Sequence, residues 1–336
     1  MSSLESILDQ QGIDAPLVEV IGVIATTTIA IADKLRCGGL GESLGSSRNK
    51  NVQGEIQKNL DIIANNLMLD ALGAHPLIRA LASEEEAHTI VATAGAPYLV
   101  AFDPLDGSSN IDINAPVGTI FTILYARDEV PDQSDAQFFQ SGRDQLCAGY
   151  VLYGPYTTLL LSTRREVSEF TLDLKQRKFI LSKPKIMIPH GTREFSANMA
   201  NIFYWSQSFQ YYIASLIEKS SESVPFNMRW QGAMVSDVHK VLTRGGFFAY
   251  PSDCRPANKH GKLRLLYEAL PMAMLVENAG GCAYSETDRI LDMTPISLHQ
   301  RTPVFLGDEK LVTECFHSFT TRNILDGTTV ASIKKF

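Results

Sequence analysis

The chain has 336 residues, 45% of them hydrophobic, and its 30 basic and 37 acidic side chains give a formal net charge of −7. That is enough chain for a large core, and without a long basic run electrostatically driven nucleic-acid binding is excluded. Five scattered cysteines with no CxxC, and seven histidines with no HxxxH or HExxH, argue against a disulfide scaffold or a zinc site. Buried thiols in a reducing compartment are expected instead. The N-terminus carries Glu5 and Asp9 and no basic start, unlike a secretory or transit segment. The longest uncharged apolar stretch, 20–32, contains three threonines and suits a buried helix better than a bilayer span. A cytoplasmic protein with no membrane partner is expected.

A helix is predicted over 17–36, closed by Gly38-Gly39. The polar loop 38–53, rich in Gly, Ser and Asn, runs into acidic residues and suits a mobile lid. Ile56, Leu60, Ile63, Leu67 and Leu69 stand at helical spacing and predict an amphipathic helix over 55–72, which carries Glu55 and Asp61. Segment 76–83 reads as another short helix. From Tyr98 the period changes. Segments 98–102, 117–125, 148–153 and 157–162 have the β-branched and aromatic content of strands, and 169–174 and 179–181 continue them as a meander. The charged stretch 127–145 reads as a solvated loop. Pro184 and Pro189 mark a boundary within 182–190, dividing the chain into domains 1–188 and 189–336. Beyond it come helices over 206–218 and 235–243 and a strand over 246–250. A long helix over 263–278 should kink at Pro271 and end at Gly280-Gly281, before a short strand over 281–285.

The chemistry concentrates in YLVAFDPLDGSSNID, residues 98–112. An apolar strand delivers Asp103 and Asp106 to its C-terminal end, where paired carboxylates suit a hard cation such as Mg²⁺. The Gly-Ser-Ser-Asn turn behind them leaves backbone N–H groups free to approach an anion. Metal and phosphate would meet at one point. Glu84-Glu85-Glu86 lies upstream, and with Glu55, Asp61 and Glu268 forms the pool for an acidic centre built at element ends. Mg²⁺ ions held there would neutralise a phosphate ester and favour in-line displacement. Arg229, Lys262 and Arg264 are candidate cations for a distal phosphate. Competing motifs fail on context. GESLG at 41–45 matches G-x-S-x-G but follows a helix and opens onto a loop, and SKPK at 182–185 lacks the companions of S-x-x-K. No G-x-G-x-x-G follows a strand, and no Walker lysine pattern occurs.

DPLDGSSNID at 103–112, preceded by Ser83-Glu84-Glu85, resembles the lithium-sensitive, Mg²⁺-dependent sugar phosphatases. NVQGEIQKNLD (51–61), GTIF (118–121), GKLRLLYE (261–268) and ILDMTPISLHQRTPVFLG (290–307) resemble the class I fructose-1,6-bisphosphatase family in particular. The resemblance implies an α/β (α+β) fold of layered α-β-α-β-α type in two domains. It implies release of the 1-phosphate of fructose 1,6-bisphosphate, in gluconeogenesis or the Calvin cycle. Glu84, Asp103, the Leu105 carbonyl, Asp106 and Glu268 are implied as ligands of two or three Mg²⁺ ions, with Mn²⁺ a possible substitute. Glu55, Asp61 and Glu85 would complete the acidic rim, and Asp61 and Glu84 match positions that activate the attacking water. Asp106, Gly107, Ser108 and Ser109 are implied to hold the reacting phosphate. Asn198, Arg229, Trp230, Tyr250 and Lys262 would hold the 6-phosphate and the sugar, with Met234 beside the ring. Arg229 is implied to cross a subunit boundary in a homotetramer.

Departures from the family pattern carry their own expectations. Met199-Ala200-Asn201 and Trp230 stand where the family commonly places phosphate-binding tyrosines, so an amide and an indole replace two phenols, and both can donate a hydrogen bond. The chloroplast insertion with paired cysteines is missing, so thioredoxin control is not expected. Weak inhibition by AMP is expected. Asp14 and Pro16 stand at the turn where the family binds the AMP phosphate, Pro97-Tyr98 replaces Lys-Tyr, and Tyr125 replaces an arginine. Sedoheptulose-1,7-bisphosphate cleavage, an inositol-monophosphate type of activity and a non-catalytic metabolite-binding regulator are the alternatives.

Overall fold

The computed structural model describes residues 2–40, 46–50, 56–219 and 224–323. Glu55 and the GESLG segment lie outside the described residues. Ser3 caps α1 (Leu4–Gln10), its hydroxyl accepting from the Ser6 N–H. Helix α2 (Ala15–Cys37) opens with a proline in its first turn, where the missing N–H costs nothing. Its 23 residues are long and apolar enough to cross a membrane, yet Val20, Ile21, Ile24 and Ile31 are buried inside the protein. The three threonines at 26–28 return their hydroxyls to carbonyls of the preceding turn, so they burden the core with no unpaired donor.

Strands β1 (Ser46–Lys50) and β2 (Ile56–Lys58) pair antiparallel, so part of the predicted lid is a hairpin ladder. The following helix, α3 (Asn59–Gly73), therefore starts four residues later than the apolar spacing predicted. The short helix predicted over 76–83 is instead β3 (Ile78–Ser83), buried along its whole length. It runs parallel to β5 and is covered on both faces, and with Arg79 and Ser83 buried in it no period-2 alternation marks it as a strand. After β4 (Ile90–Val91) and β5 (Tyr98–Asp106) come β6 (Val117–Tyr125), β7 (Cys147–Tyr153), β8 (Thr157–Ser162), β9 (Val167–Asp173) and β10 (Lys178–Lys183). They form one eight-stranded sheet in the order β10-β9-β8-β7-β6-β5-β3-β4, antiparallel except at β3–β5. The stretch 127–145 is not simply solvated. Phe138 and Gln137 are buried there, and the Gln137 amide binds the Arg127 N–H and the carbonyls of Arg127 and Val130.

The second half begins with β11 (Glu194–Ser196), α4 (Gln207–Glu218), β12 (Asn227–Met228), α5 (Met234–Arg244) and β13 (Phe247–Tyr250). The predicted long helix over 263–278 divides into β14 (Leu263–Arg264), one π-helical turn at Leu265–Ala269, and α6 (Leu270–Asn278). Pro271 does not kink a continuous helix. It lies in the first turn of α6, lacks the N–H that a regular turn would direct at the Tyr267 carbonyl, and the wider turn before it absorbs the mismatch. Then follow β15 (Cys282–Tyr284), β16 (Arg301–Thr302), β17 (Val304–Gly307) and α7 (Glu309–Asn323). The second sheet has the order β12-β11-β13-β17-β15, and β14 pairs with β16.

Five layers result. Helices α2 and α3 share a core with Val100, Phe102 and Phe121 on one face of the large sheet. Helices α5 and α6 fill the space between Ile120 and Tyr150 of that sheet and Phe248 and Leu306 of the second. Helices α4 and α7 cover the outer face of the second sheet through Phe209, Ile213 and Val312. The expected α-β-α-β-α architecture is present.

Candidate active site

In a regular strand, residues three apart point to opposite faces. Strand β5 breaks that rule where it matters. Its pairing with β6 runs in register to Asp103 opposite Ile120, slips at Pro104, and resumes with Asp106 opposite Gly118. Proline has no N–H for the ladder, and the slip is the local result. Asp103 Oδ1 accepts the Leu105 N–H at 2.9 Å, and Thr119 donates its hydroxyl to the Pro104 carbonyl at 2.9 Å. Both aspartates consequently reach one cavity.

The turn that follows is held against the second half of the chain. Gly107 has φ +76°, and a Cβ there would collide with the Cβ of Ala233, so only glycine allows this approach. Asp106 Oδ2 accepts the Val235 N–H at 2.7 Å in the first turn of α5, where helix polarity favours negative charge. Asn110 donates its amide to the carbonyls of Pro116 and Gln231, both at 3.0 Å, and so ties the turn to the loop before α5.

The cavity has a volume of about 440 Å³ and an acidic cluster in its wall. Carboxylate oxygens of Asp103, Asp106 and Glu268, all buried, lie within 4.8 Å of one another. Buried Glu84 is paired with Arg264, Nη1 to Oε1 at 2.8 Å, and the Arg264 N–H donates to Glu268 Oε2 at 2.6 Å. Asp61 of α3 and Glu85 line the same space. Burial, and then the neighbouring carboxylates Glu84, Asp106 and Glu268, hold Asp103 well above the usual carboxylate range. Burial likewise raises Asp106, against the opposing pull of the Val235 N–H. Burial and Glu84 raise Glu268, against Arg264. Hard oxygen donors crowded out of water this way fit a divalent cation of the Mg²⁺ kind, which would relieve their repulsion.

Asn198, Trp230, Met234, Tyr250 and Lys262 line the same cavity, together with Gly107, Ser108 and Ser109. The Trp230 ring lies parallel to Phe248 at 6.2 Å and tilted toward Tyr250 at 5.8 Å. Two expected cations differ in placement. Arg264 lines the cavity, but it is buried and its guanidinium is engaged by Glu84. Arg229 does not line this cavity. It is half-exposed, 3.9 Å from Glu194, on a separate groove with Lys240 and Arg244. Asn201 does not line the cavity either. Its Oδ1 accepts from Arg255 Nη2 at 3.0 Å, and the Arg255 guanidinium lies 4.5 Å over the Tyr204 ring. Of the two residues in tyrosine positions, only Trp230 faces the cavity.

Sequence reasoning missed the Arg264–Glu84 pair, although Arg264 and Glu268 four residues apart was an available signal. It also missed Asp237, buried on α5, whose carboxylate accepts the Gln231 N–H and so holds the loop that carries Trp230. Burial and proximity to Gln231 raise no signal in sequence.

Family models described as the N-terminal and C-terminal domains of fructose-1,6-bisphosphatase match residues 4–184 and 188–320. The class 1 fructose-1,6-bisphosphatase of Cellvibrio japonicus is 51% identical over 317 residues, covering 94% of this chain and 98% of the relative. A class 1 enzyme of Pseudoalteromonas translucida is 48% identical over 307 residues, covering 91% and 94%. The crystal structure of Leishmania major fructose-1,6-bisphosphatase in holo form superposes with a TM-score of 0.90 at 36% identity, covering 96% of this chain and 99% of that one. With both domain models matched along nearly its whole length, the chain belongs to the fructose-1,6-bisphosphatase family.

Proposed function

We propose that this chain hydrolyses the 1-phosphate of D-fructose 1,6-bisphosphate, giving fructose 6-phosphate and phosphate, in a Mg²⁺-dependent reaction. The observation that carries the reading is a single cavity lined by buried carboxylates, by the Gly107-Ser108-Ser109 turn and by Lys262, Tyr250 and Asn198. That lining offers both groups the substrate demands, carboxylates for metal at an attacked phosphate and donors for a retained one.

Asp103, Asp106, Glu84, Glu268 and the Leu105 carbonyl would hold the metal, two or three Mg²⁺ ions or Mn²⁺ in their place, with Glu85 and Glu55 on the rim. When bound, the metal supplies positive charge to the attacked phosphate and to the leaving oxygen. Gly107, Ser108 and Ser109 orient that phosphate through backbone and hydroxyl donors. Asp61 and Glu84 take the proton of the attacking water. Lys262, Tyr250, Asn198 and the Trp230 N–H hold the 6-phosphate and sugar, and Met234 flanks the ring. Arg229, which faces away from its own cavity, would serve the site of a partner subunit in a homotetramer. The domain 1–188 would supply the phosphate turn and most of the metal ligands, the domain 189–336 Glu268 and the sugar-binding residues, and the enzyme works in the cytoplasm.

The test is phosphate release by purified protein with Mg²⁺ from fructose 1,6-bisphosphate, sedoheptulose 1,7-bisphosphate and inositol monophosphate. The expected result is the highest kcat/KM on the fructose ester and none on inositol phosphate. Binding of fructose 1,6-bisphosphate by calorimetry without turnover would overturn the reading in favour of a metabolite-binding regulator. Higher kcat/KM on the sedoheptulose ester would reassign the substrate.

A further inference from the structure

The side chain of Asn65 joins the acidic turn that carries Glu84 and Glu85 to α3. Asn65 is one helical turn beyond Asp61 on the same face of α3, and both are buried, at 5% and 4% exposure. Its Oδ1 accepts the Ser83 hydroxyl at 2.7 Å, and its Nδ2 donates to Glu86 Oε1 at 2.8 Å. Ser83 Oγ in turn accepts the Glu85 N–H at 3.2 Å. The amide therefore grips the turn on both flanks of Glu84, with its acceptor on one side and its donor on the other. From the far side, His299 Nε2 lies 3.0 Å from the Glu86 carbonyl, which can only accept, so Nε2 carries the proton.

We propose that Asn65 is a positioning residue that sets Asp61 against Glu84, by bridging α3 to both flanks of the acidic turn. The proposal rests on the reading of Asp61 and Glu84 as the pair that acts on the attacking water. Apolar packing of α3 on the sheet is non-directional and tolerates small shifts along the interface. Two hydrogen bonds of opposite polarity on one amide do not, because rotating or sliding it breaks both. A displacement near 1 Å at a reacting centre costs on the order of a hundredfold in rate, so the bridge acts on kcat.

Asn65→Ala is expected to lower kcat on fructose 1,6-bisphosphate by about tenfold to a hundredfold while KM moves less than about threefold. In the metal-free protein, amide hydrogen exchange in the turn at 84–86 should accelerate by about tenfold while β5 keeps its protection. The exchange measurement needs no turnover, so failure of the bridge is distinguishable from failure of the functional reading. The decisive variant exchanges the polarity. Asn65→Asp alone faces Glu86 with a second carboxylate, whereas Asn65→Asp with Glu86→Gln restores a donor opposite an acceptor and keeps the net charge. The double variant is expected to recover kcat at least about fivefold over Asn65→Asp. If Asn65→Ala does not fold, Glu86→Ala removes one arm from a partly exposed residue and should lower kcat by about threefold. A role in stability alone predicts a lower Tm with kcat and KM unchanged. That result, or a double variant no better than Asn65→Asp, overturns the proposal.

Discussion

Crowded carboxylates govern the site at the scale of single residues. Asp103 is buried beside Glu84, Asp106 and Glu268, and every one of these neighbours raises its affinity for a proton. Replacing it by asparagine keeps the shape and removes a carboxylate that needs a metal ion or a proton to balance its charge. Asp103→Asn is therefore expected to abolish phosphate release and the thermal shift produced by Mg²⁺. The metal-free variant should also melt a few degrees higher than the metal-free parent at pH 8, as seen by scanning fluorimetry. Arg264 makes the opposite case. Arg264→Met leaves Glu84 buried without its 2.8 Å partner. A loss of about 3–5 kcal/mol in unfolding free energy is expected by urea denaturation, because an uncompensated buried charge remains. Asp103 and Asp106 were legible in sequence because their chemistry needs no partner to be recognised. The Arg264–Glu84 pair was not legible, because a guanidinium suits phosphate and carboxylate equally and only the fold shows which one it meets.

At the scale of elements, the N-terminus of α2 bears on regulation. Tyr98, buried, is stacked on Tyr125 of the neighbouring strand, with centroids 5.7 Å apart and planes at 21°. Burial, Tyr125 and then Asp14, the residue before α2, raise the Tyr98 phenol above its ordinary range. A phosphate arriving there meets a carboxylate and two phenols instead of cations. Losing two charged hydrogen bonds at about 1.5–3 kcal/mol each weakens binding by on the order of a hundredfold or more. An activity titration should accordingly give no half-inhibition at low micromolar AMP. The helices and strands with strong periodicity, α2 and β6 to β9, were legible because each has a pattern that one structure satisfies. Strand β3 and the π turn before α6 were not. The first is buried on both faces, with Arg79 and Ser83 hydrogen-bonded inside it, and the second reconciles Pro271 with the preceding backbone.

For the whole molecule, pH and metal act on the same balance. Asp106 is pushed up to about 7 and Glu268 to about 8, chiefly by burial, from ordinary carboxylate values in the unfolded chain. Between pH 4 and 8 the folded metal-free protein therefore binds more protons than the unfolded one, and its stability falls as pH rises. Thermal melts in chelator should show Tm declining across that window, and added Mg²⁺ should raise Tm more at pH 8 than at pH 5. By itself the sequence determined the acidic strand end, the phosphate turn, the family and the order of most elements. Each of these is written in contiguous residues whose spacing or chemistry is local. The tertiary structure decided which distant groups meet. It bent β5 so that Asp103 and Asp106 share a cavity, set Arg264 under Glu84, turned Arg229 away, and joined Asn65 to the acidic turn. Such meetings depend on how five layers pack, and packing forces have no direction along the chain from which they could be read.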